Sequence, residues 1–510
     1  MLSFLARRFA SSVLVMLVAS YAVYVLTAYS NDPLAELRTS TSKGKAALIA
    51  NMIQQQHLDV SPPLRYFIWF DGLLKGFTGH FTLGLNVGGQ TVSSQLSSAM
   101  GATLQLLFGA TVIAIVFGVG IGIITALRQY TALDYGTTFV SFLFFSLPVV
   151  WLAVLLKQYL AIDFNNFLGS GTIKPLWLIV VAVVLGLIGA SLMDSYRRRA
   201  IVFAAVAVVT GGVLAILSAT KWFTNPQLTI GGVAVLGLGA AVGITALSAG
   251  LENKKALYSA LTTAGVGVAL YYPLKYTVFT NMSLWLFLLL GVVAIGVGAL
   301  VGWLWGGPDR GVSMRTAGMV ALVTSLFIAV DRFLQGWQVY ANSSYANGRP
   351  IATIGSTSPD FQGDFWFGGL DHFTHLLLPT VSLMLASLAS YSRYSRASML
   401  EVMNQDYIRT ARSKGLTERA VVMRHAFRNA LIPVVTIVTL DFGALIGGTL
   451  VTENVFSFQG MGALFETALS QTDVNSVMGF FLVTGTAAIL FNVVADVIYS
   501  ALDPRIRVTA

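Results

Sequence analysis

Apolar runs of about 20 residues, separated by shorter polar or charged stretches, recur along most of the chain. A run of that length is what a helix needs to cross the hydrocarbon layer of a bilayer. The pattern therefore predicts twelve membrane-spanning helices and an all-α, polytopic membrane protein. The predicted spans are residues 9–29, 101–127, 134–160, 175–193, 200–218, 229–250, 256–279, 283–305, 316–335, 374–396, 431–452 and 476–500.

Three stretches are too polar to lie within a membrane. Residues 31–98 begin polar and become rich in Gly and Ser, whereas residues 336–373 contain Asn, Ser, Gly and several aromatic residues. Four aromatic residues in and near the second stretch are typical of a belt at the membrane–water interface. They are Trp337, Phe365, Trp366 and Phe367. The third stretch, residues 397–430, is charged, and we call it the 397–430 segment.

The positive charges are distributed as expected for a membrane protein with both termini in the cytoplasm. With a cytoplasmic N-terminus, most of the 31 Lys and Arg residues fall in segments on the cytoplasmic side, and each such segment has at least one. This is the bias that orients membrane proteins. A missed span would place the later basic clusters on the wrong side, so the charge pattern supports the predicted count. The net charge of +9 therefore indicates orientation, not nucleic-acid binding.

Composition excludes several kinds of chemistry. Hydrophobic residues make up 55% of the chain and charged residues 10%, whereas soluble domains are about one-quarter charged. The chain has no cysteine, so it has no disulfide and no thiolate metal site. It also lacks the GxxxxGK[ST] pattern of a P-loop, so any ATP must bind another chain. Two Gly pairs, Gly118 with Gly122 and Gly239 with Gly243, are typical of close helix packing, not of a nucleotide fingerprint.

The N-terminal apolar run follows Arg7 and Arg8. It is too long for the core of a signal peptide, so we expect a first span that stays in the protein.

The 397–430 segment has the pattern of a helix, a turn and a second helix that runs into span eleven. Residues 407–414 favour a helix, and Gly415 is a suitable residue to end it. Thr417 followed by Glu418 favours a new helix start. Residues 391–433, which include this segment, contain eight Lys and Arg residues and three acids. From charge alone, simple attachment to anionic lipid remains an alternative to a specific partner.

The order of residues in this segment is more specific than its charge. Residues 407–416 have the sequence Tyr-x-x-Thr-Ala-Arg-x-Lys-Gly-Leu, and residues 424–433 have the sequence Arg-His-Ala-x-Arg-Asn-Ala-x-x-Pro. These blocks closely resemble the EAA-type coupling loop of the oligopeptide/dipeptide permease family of ABC importers. Further resemblance lies in residues 72–103, Asp134 with residues 146–151, Gly447-Gly448, residues 453–462, and Asn492, Asp496, Tyr499 and Asp503-Pro504-Arg505. One departure is Gln459, where the family usually has Pro.

The resemblance implies a six-span core of the type I importer fold, divided between residues 1–165 and 368–510. Residues 166–367, with spans four to nine, would be an insertion. The family's organisation implies a second permease subunit, two ATPase subunits that hold ATP and Mg²⁺, and an external substrate-binding protein. This chain itself would carry no cofactor and would not be an enzyme. The resemblance further implies peptide import across the inner membrane of a bacterial or archaeal cell, although related members carry nickel or short sugars.

The resemblance assigns the contact with the ATPase to the 407–416 helix and to the basic block that follows it. The assigned residues are Tyr407, Thr410, Ala411, Arg412, Lys414, Gly415, Leu416, Arg424, His425, Arg428 and Asn429. We expect Ala411 and Gly415 to keep the contact surface low. Arg412 and Lys414 would meet acidic or carbonyl groups of the partner.

A few polar residues within the spans are further candidates. Asp441 lies inside span eleven, where a carboxylate costs on the order of 3 kcal/mol, so we expect it to face the bundle interior. A pathway-lining role and a simple interhelical hydrogen bond both remain open for it. Ser146, Pro148 and Trp151 are also pathway candidates. Asn492 and Asp496 share one helix face and are predicted to be a structural polar pair. No residue is assigned to catalysis or to a metal.

Two alternatives come from other functional classes. An ion-coupled secondary transporter would use Asp441 and Asp496 as a proton relay and would have two matching halves with broken helices. A polytopic membrane enzyme would need a clustered acid/base or metal set, and the sequence has no such pattern. For the insertion, residues 166–367, we predict a peripheral helix bundle that packs against the core or lipid. A docking site for another protein, a gate or a lipid-contacting module are the alternatives.

Overall fold

A computed structural model describes residues 2–502 of the chain, except residues 40, 42, 43 and 194. The chain divides into two compact units. The first comprises residues 1–158, 353–356 and 376–510, and the second comprises residues 159–352 and 357–375. The sequence placed the corresponding changes at residues 165 and 367. The Asp503-Pro504-Arg505 motif lies outside the described residues.

The described chain is helical, and its one strand-like pairing is an isolated antiparallel bridge between Leu85 and Thr91. The first helices are α1 (Leu2–Ser30), α2 (Ala35–Thr39), α3 (Lys45–Gln56), α4 (Pro62–Leu74), α5 (Val92–Leu127), α6 (Ala132–Ser146), α7 (Val149–Leu156) and α8 (Phe164–Ser170). They are followed by α9 (Pro175–Ser191), α10 (Tyr196–Ala219), α11 (Thr229–Ser248), α12 (Lys254–Tyr276), α13 (Leu284–Trp305) and α14 (Arg310–Ala341). The last are α15 (Phe365–Met403), α16 (Asp406–Ser413), α17 (Glu418–Ala420), α18 (Phe427–Gly448), α19 (Leu450–Val455), α20 (Met461–Ser470) and α21 (Val474–Leu502). Residues Lys157–Asp163 and Val421–Ala426 are π-helical.

The prediction of a polytopic, all-α membrane protein is confirmed. Among the described residues, nine helices are long and apolar enough to span a bilayer, and a bent pair brings the count to ten. The nine are Phe9–Ser30, Val92–Leu127, Tyr196–Ala219, Thr229–Ser248, Leu284–Trp305, Arg310–Ala341, Phe365–Met403, Val421–Ala444 and Val474–Ile498. The bent pair, Ala132–Ser146 with Val149–Ser170, coincides with predicted span 134–160.

Two predicted spans, 175–193 and 256–279, coincide with helices outside that set. Helix α9 has only 17 residues. Helix α12 has 23 residues, but polar Ser259 and Thr263 lie on its buried face. It packs against α11, α13 and α14. Polar groups on a face packed against other helices can bond within the protein, so a spanning helix with such a face can have a lower mean hydropathy.

In the first unit, α5 packs directly against the middle of α15. A Cβ atom on Gly118 would lie 3.2 Å from the carbonyl oxygen of Leu388, and one on Gly122 would lie 2.5 Å from that of Ser392. The predicted close packing of Gly118 and Gly122 is therefore confirmed. Helix α5 also contacts α18, α20 and α21, and α18 lies along α21.

The 31–98 stretch folds onto the same unit. Aromatic side chains of α1 and α4 (Tyr24, Tyr66 and Trp69) share a buried cluster with Met461 and Met478. The amide of Asn475 donates hydrogen bonds to Gln56 Oε1 at 3.0 Å and to Leu85 O at 2.9 Å. The stretch thus belongs to the packed core of this unit.

In the second unit, α9 pairs with α10, and α11 to α14 pack together as a bundle. The closest approach is at α13 and α14, where a Cβ on Gly298 or Gly302 would lie 2.5 Å from a backbone carbonyl of α14. The predicted packing role of Gly239 and Gly243 is wrong, because a Cβ at either would meet nothing within 4 Å. Helix α11 instead buries Val233, Gly237, Ala241 and Thr245, one residue per turn.

Asp331 organises one end of this bundle. Its fully buried carboxylate accepts hydrogen bonds from the backbone N–H groups of Leu228 and Thr229 at 2.7 and 3.1 Å, at the start of α11. It also accepts hydrogen bonds from the Tyr271 hydroxyl at 2.5 Å and the Gln335 amide at 2.6 Å. The carboxylate therefore joins three helices and caps one of them.

The interfacial role predicted for the aromatic residues is wrong for Trp366. Its ring is 3% exposed and packs against Phe279 and Phe333, with ring centroids 5.1 and 4.8 Å away. Its indole N–H donates to the carbonyl of Phe279 at 2.9 Å. The side chain thus fills a protein core, where Trp is stable once its N–H has a partner.

Candidate functional site

Helix α16 in the 397–430 segment has two different faces. Ile408 and Ala411 are buried in a cluster that includes Met399 from α15 and Val421 from the π-helical segment. The opposite face is exposed and polar. It consists of Tyr407, Arg409, Thr410, Arg412, Ser413 and Lys414. The helix is therefore attached to the body of the unit on one side and free to contact a partner on the other.

The turn after α16 depends on Gly415. Its φ angle is +75°, a left-handed conformation that Gly adopts without strain and that commonly ends a helix. Thr417 then caps α17, with its hydroxyl accepting from the N–H of Ala420 at 3.4 Å. The predicted order of helix, Gly turn and second helix is confirmed, with α16 beginning at Asp406.

Two side-chain bridges hold α16 to the helix that follows it. The Asn429 amide donates to the hydroxyl of Tyr407 at 2.9 Å. The Arg412 guanidinium donates twice to the carboxylate of Glu418, at 3.2 Å from Nε and 2.7 Å from Nη2. The hydrogen bond from Arg412 lowers the pKa of Glu418, so the carboxylate stays ionised. Both bridges thus join residues within the 397–430 segment and fix α16 against the part of the segment that follows it.

The remaining predicted contact residues lie mostly on the exposed side. Thr410, Lys414, Gly415, Leu416, Arg424, Arg428 and Asn429 are exposed, and His425 is half-buried. The expectation that Ala411 lowers an external contact surface is wrong, because Ala411 is only 6% exposed and packs inside the chain. Its small size serves the fit of α16 against its own unit.

An ion pair that sequence reasoning missed lies between α6 and α15. Arg396 donates to the two carboxylate oxygens of Asp134 at 2.9 and 3.0 Å. The Asp134 side chain is 3% exposed and also accepts from the N–H of Tyr130 at 3.0 Å. The sequence singled out Asp134 as part of a motif, but no pattern in the sequence signals that Arg396 meets it.

A sharp bend between α6 and α7 lies beside Ser146, Pro148 and Trp151. Helix α6 ends at Ser146, the path turns by 105°, and α7 begins at Val149. Leu147 is extended, as expected for a residue before proline. Ser146 and Pro148 are exposed, and Trp151 is 64% exposed. The three side chains are thus available to a substrate or to another subunit.

Asp441 takes part in an interhelical hydrogen bond. The hydroxyl of Tyr391, a fully buried residue of α15, donates to its carboxylate at 2.9 Å. Asn492 is exposed and donates to the carbonyl of Ala488 in its own helix at 2.8 Å. Asp496, one turn later, is half-buried.

Glu453 is a second buried group that sequence reasoning did not single out. Its carboxylate accepts from the hydroxyls of Thr103 and Thr449, each at 2.7 Å, and from the N–H groups of Gly462 and Ala463 at 2.7 and 3.0 Å. A Cβ atom on Gly460 would clash with this carboxylate. The glutamate therefore fixes the start of α20 against α5. Its place in the 453–462 motif was the available signal.

Asp371 and His375, near the start of α15, also belong to a local network. The Asp371 carboxylate accepts from the backbone N–H of Ser358 at 2.9 Å and from the hydroxyl of Tyr340 at 3.1 Å. His375 Nδ1 lies 2.8 Å from the carbonyl oxygen of Asp371. Over residues 2–502, with the four gaps noted above, no three His, Cys, Asp or Glu side chains are grouped to hold a metal.

A sequence family matches the C-terminal part of this chain, and several known proteins are similar to the chain. Residues 283–508 match the sequence family described as the binding-protein-dependent transport system inner membrane component. The oligopeptide transport system permease protein OppB of Mycobacterium tuberculosis is 37% identical over 197 residues, which is 38% of this chain and 60% of the relative. AppB of Bacillus subtilis, also an oligopeptide transport system permease protein, is 42% identical over 141 residues, 28% of this chain and 45% of the relative.

The dipeptide transport system permease protein DppB of Escherichia coli is 44% identical over 138 residues, 27% of this chain and 41% of the relative. The matched part of the chain thus spans 41% to 60% of the length of these relatives. The comparisons confirm the resemblance that the 407–416 and 424–433 blocks indicated. Residues 283–508 thus match the binding-protein-dependent transport family, and the chain is similar to oligopeptide and dipeptide permeases.

Proposed function

We propose that the chain is one of two membrane-spanning subunits of an ATP-driven importer for peptides. A sister permease completes the pathway, two ATPase subunits bind the 397–430 segment, and an external binding protein delivers the substrate. The observation that carries this proposal is the two-faced helix α16. Its buried face contacts the membrane-spanning helices, and its exposed face presents cations in a basic segment.

The packing of α16 suits the transmission of force. Ile408 and Ala411 share one buried cluster with Met399 of α15 and Ala430 of α18. The Tyr407–Asn429 and Arg412–Glu418 bridges add polar connections to the same region. A displacement of α16 by a closing ATPase dimer therefore moves α15 and α18 with it. A loop attached by its ends alone would bend instead.

The peptide substrate rests on the relatives, whose names specify oligopeptide and dipeptide transport. The break at residues 146–149 places exposed Ser146, Pro148 and Trp151 where a sister subunit or a substrate can reach them. The pathway between two different subunits would be lined by both. Asp441 contributes to it through α18, held in place by Tyr391.

The test replaces Gly415 by Trp and, as a matched control, by Asn. A Cβ at this position meets nothing within 4 Å, so the Trp side chain extends from the surface without an internal clash. Both residues must adopt the left-handed conformation, at about 1–2 kcal/mol for an ordinary residue and less for Asn. The two variants thus share the backbone change and differ in bulk.

Proteoliposomes with the sister permease, ATPases and binding protein give both peptide uptake and ATP hydrolysis. We expect Gly415→Asn to retain coupled uptake, and Gly415→Trp to lose uptake while it still inserts in the membrane. Wild-type uptake by the Trp variant would contradict the assignment of α16. Purification without any ATPase, together with ionophore-sensitive transport, would favour the ion-coupled alternative that uses Asp441 and Asp496.

A further inference from the structure

A groove in the second unit is assigned no function by the resemblance to permeases. It lies among α12, α13 and α14 and has a volume of about 230 Å³. Its walls are almost entirely apolar. They include Leu270, Leu274, Phe287, Leu290, Val297 and Ile328, with Gly267 and Gly291 among the small residues.

The few hydroxyl groups in the wall do not make the groove a polar site. Thr263 donates to the carbonyl of Ser259, and Ser325 donates to that of Leu322, each within its own helix. The methyl group of Thr324 faces Gly267, where a Cβ would lie 2.7 Å from it. The wall therefore suits a hydrocarbon occupant.

The groove is open to the outside of the helix bundle. Leu270, Val293, Leu322 and Leu326 line it, and each is between 43% and 54% exposed. Along α12 the lining residues extend from Thr263 to Leu274, about 16 Å at the rise of an α-helix. That length is roughly half the 30 Å hydrocarbon layer of a bilayer, the depth of one leaflet.

A basic residue follows the last groove-lining residue of α12. Lys275 follows Leu274 in the last turn of α12, and its ammonium group lies 5.7 Å from the centre of the Tyr276 ring. A cation and an aromatic ring at the end of a span are typical of the headgroup level of a membrane. An apolar groove about one leaflet deep thus ends on α12 at Leu274, at the same helix end as the positive charge of Lys275, which lies outside the lining.

We propose that this groove binds one acyl chain of a phospholipid, in the leaflet that meets the α12–α13 connection. The phosphate of that lipid lies at the level of Lys275. The second unit is then a site of specific lipid attachment. This inference concerns the second unit alone and stands whether or not the proposed transport function holds.

The experiment uses the full chain in nanodiscs that contain a phospholipid with a photoreactive diazirine in its acyl chain. Peptide mass spectrometry then maps the crosslinks. In the wild type we expect strong labelling of the groove residues of α12 to α14, above the labelling of exposed Val208 and Val209 on α10. Groove labelling no denser than on α10 would overturn the proposal without any variant.

Two substitutions on the same helix sharpen the test. A Cβ on Gly291 meets nothing within 4 Å and Gly291 lines the groove, so Gly291→Leu fills it without a clash. Gly296 has equally open surroundings on α13 but is not part of the lining, so Gly296→Leu is the control. The new Leu side chain in Gly291→Leu should displace about two methylene groups of the bound acyl chain. This should weaken lipid binding, and therefore reduce groove labelling, roughly tenfold.

Labelling should be unchanged in Gly296→Leu. Equal labelling of the two Leu variants would refute the groove as the binding site. Lys275→Gln should reduce groove labelling at low ionic strength and by less at high ionic strength, because salt screens the attraction to phosphate. Unchanged labelling in Lys275→Gln at low salt would contradict the placement of the phosphate.

Discussion

The ion pair between Asp134 and Arg396 makes an asymmetric prediction about stability. Replacing Arg396 by Met keeps an apolar stem but leaves the carboxylate of Asp134, which is 3% exposed, without its cation. Breaking a buried pair in this way costs about 3–5 kcal/mol. Only the N–H of Tyr130 then remains among the charge-stabilising contacts described here, at 3.0 Å.

The converse change should cost less. Asp134→Asn keeps an oxygen that accepts from Tyr130 or from Arg396, and the Arg396 side chain is 33% exposed, so its charge can reach water. We expect about 1–2 kcal/mol, the scale of a weakened hydrogen bond. The double variant contains no buried charge. It should therefore be more stable than Arg396→Met alone, although it carries one more substitution.

The assay is the midpoint of heat-induced aggregation in one detergent at a fixed scan rate, because large membrane proteins seldom unfold reversibly. Arg393→Met is the control. It lies one turn earlier on α15, and its guanidinium is stacked 4.3 Å from the Phe145 ring centre. If Arg396→Met matches this control, or if the double variant is the least stable of the four, the buried pair does not hold α6 in place.

Three further changes test other contacts. Glu453→Leu should destabilise the chain strongly, because two N–H groups and two hydroxyls lose their acceptor, at about 1–3 kcal/mol for each unsatisfied group. Glu453→Gln should cost less, because its amide can still accept from the N–H groups and donate to the hydroxyls; equal aggregation midpoints for the two variants would contradict this. Asp331→Ala should lower the midpoint more than Asp331→Asn, which keeps an acceptor for the start of α11; the opposite order would exclude the capping role. Because Arg412 lowers the pKa of Glu418, wild type should be more stable than Arg412→Gln near neutral pH, and this advantage should be lost as pH falls through the lowered pKa. The difference should stay below about 1 kcal/mol, because the ion pair is exposed. Aggregation midpoints measured across pH test this, and an advantage that grows in acid would refute it.

Local patterns predicted the features that depend on neighbouring residues. Hydropathy located helices at each of the twelve predicted spans. Gly415, whose φ angle is +75°, marked the turn that ends α16. The sequence also indicated the family through two short blocks. These signals succeed because hydrophobic periodicity and turn geometry are encoded within a few residues.

Contacts between side chains that lie far apart in the sequence could not be predicted from it. Asp134 and Arg396 are 262 positions apart, and Thr103 and Glu453 are 350 apart. Nothing in the spacing of small residues distinguished the packed pair Gly118 and Gly122 from the open pair Gly239 and Gly243. Which face of a helix meets a neighbour depends on the whole arrangement of helices, so Ala411 was assigned to the wrong side.

The contact of Gly118 and Gly122 with α15 restricts how this protein can change shape. At Gly122 the two helices leave no room for a side chain, since a Cβ there would lie 2.5 Å from the carbonyl oxygen of Ser392. We therefore expect α5 and α15 to move together in any conformational change, because a shift that brought a larger side chain to this contact would clash. The large apolar side chains of α6 are mostly exposed, and the Asp134–Arg396 ion pair joins this helix to α15, so any movement of α6 away from α15 must break that pair.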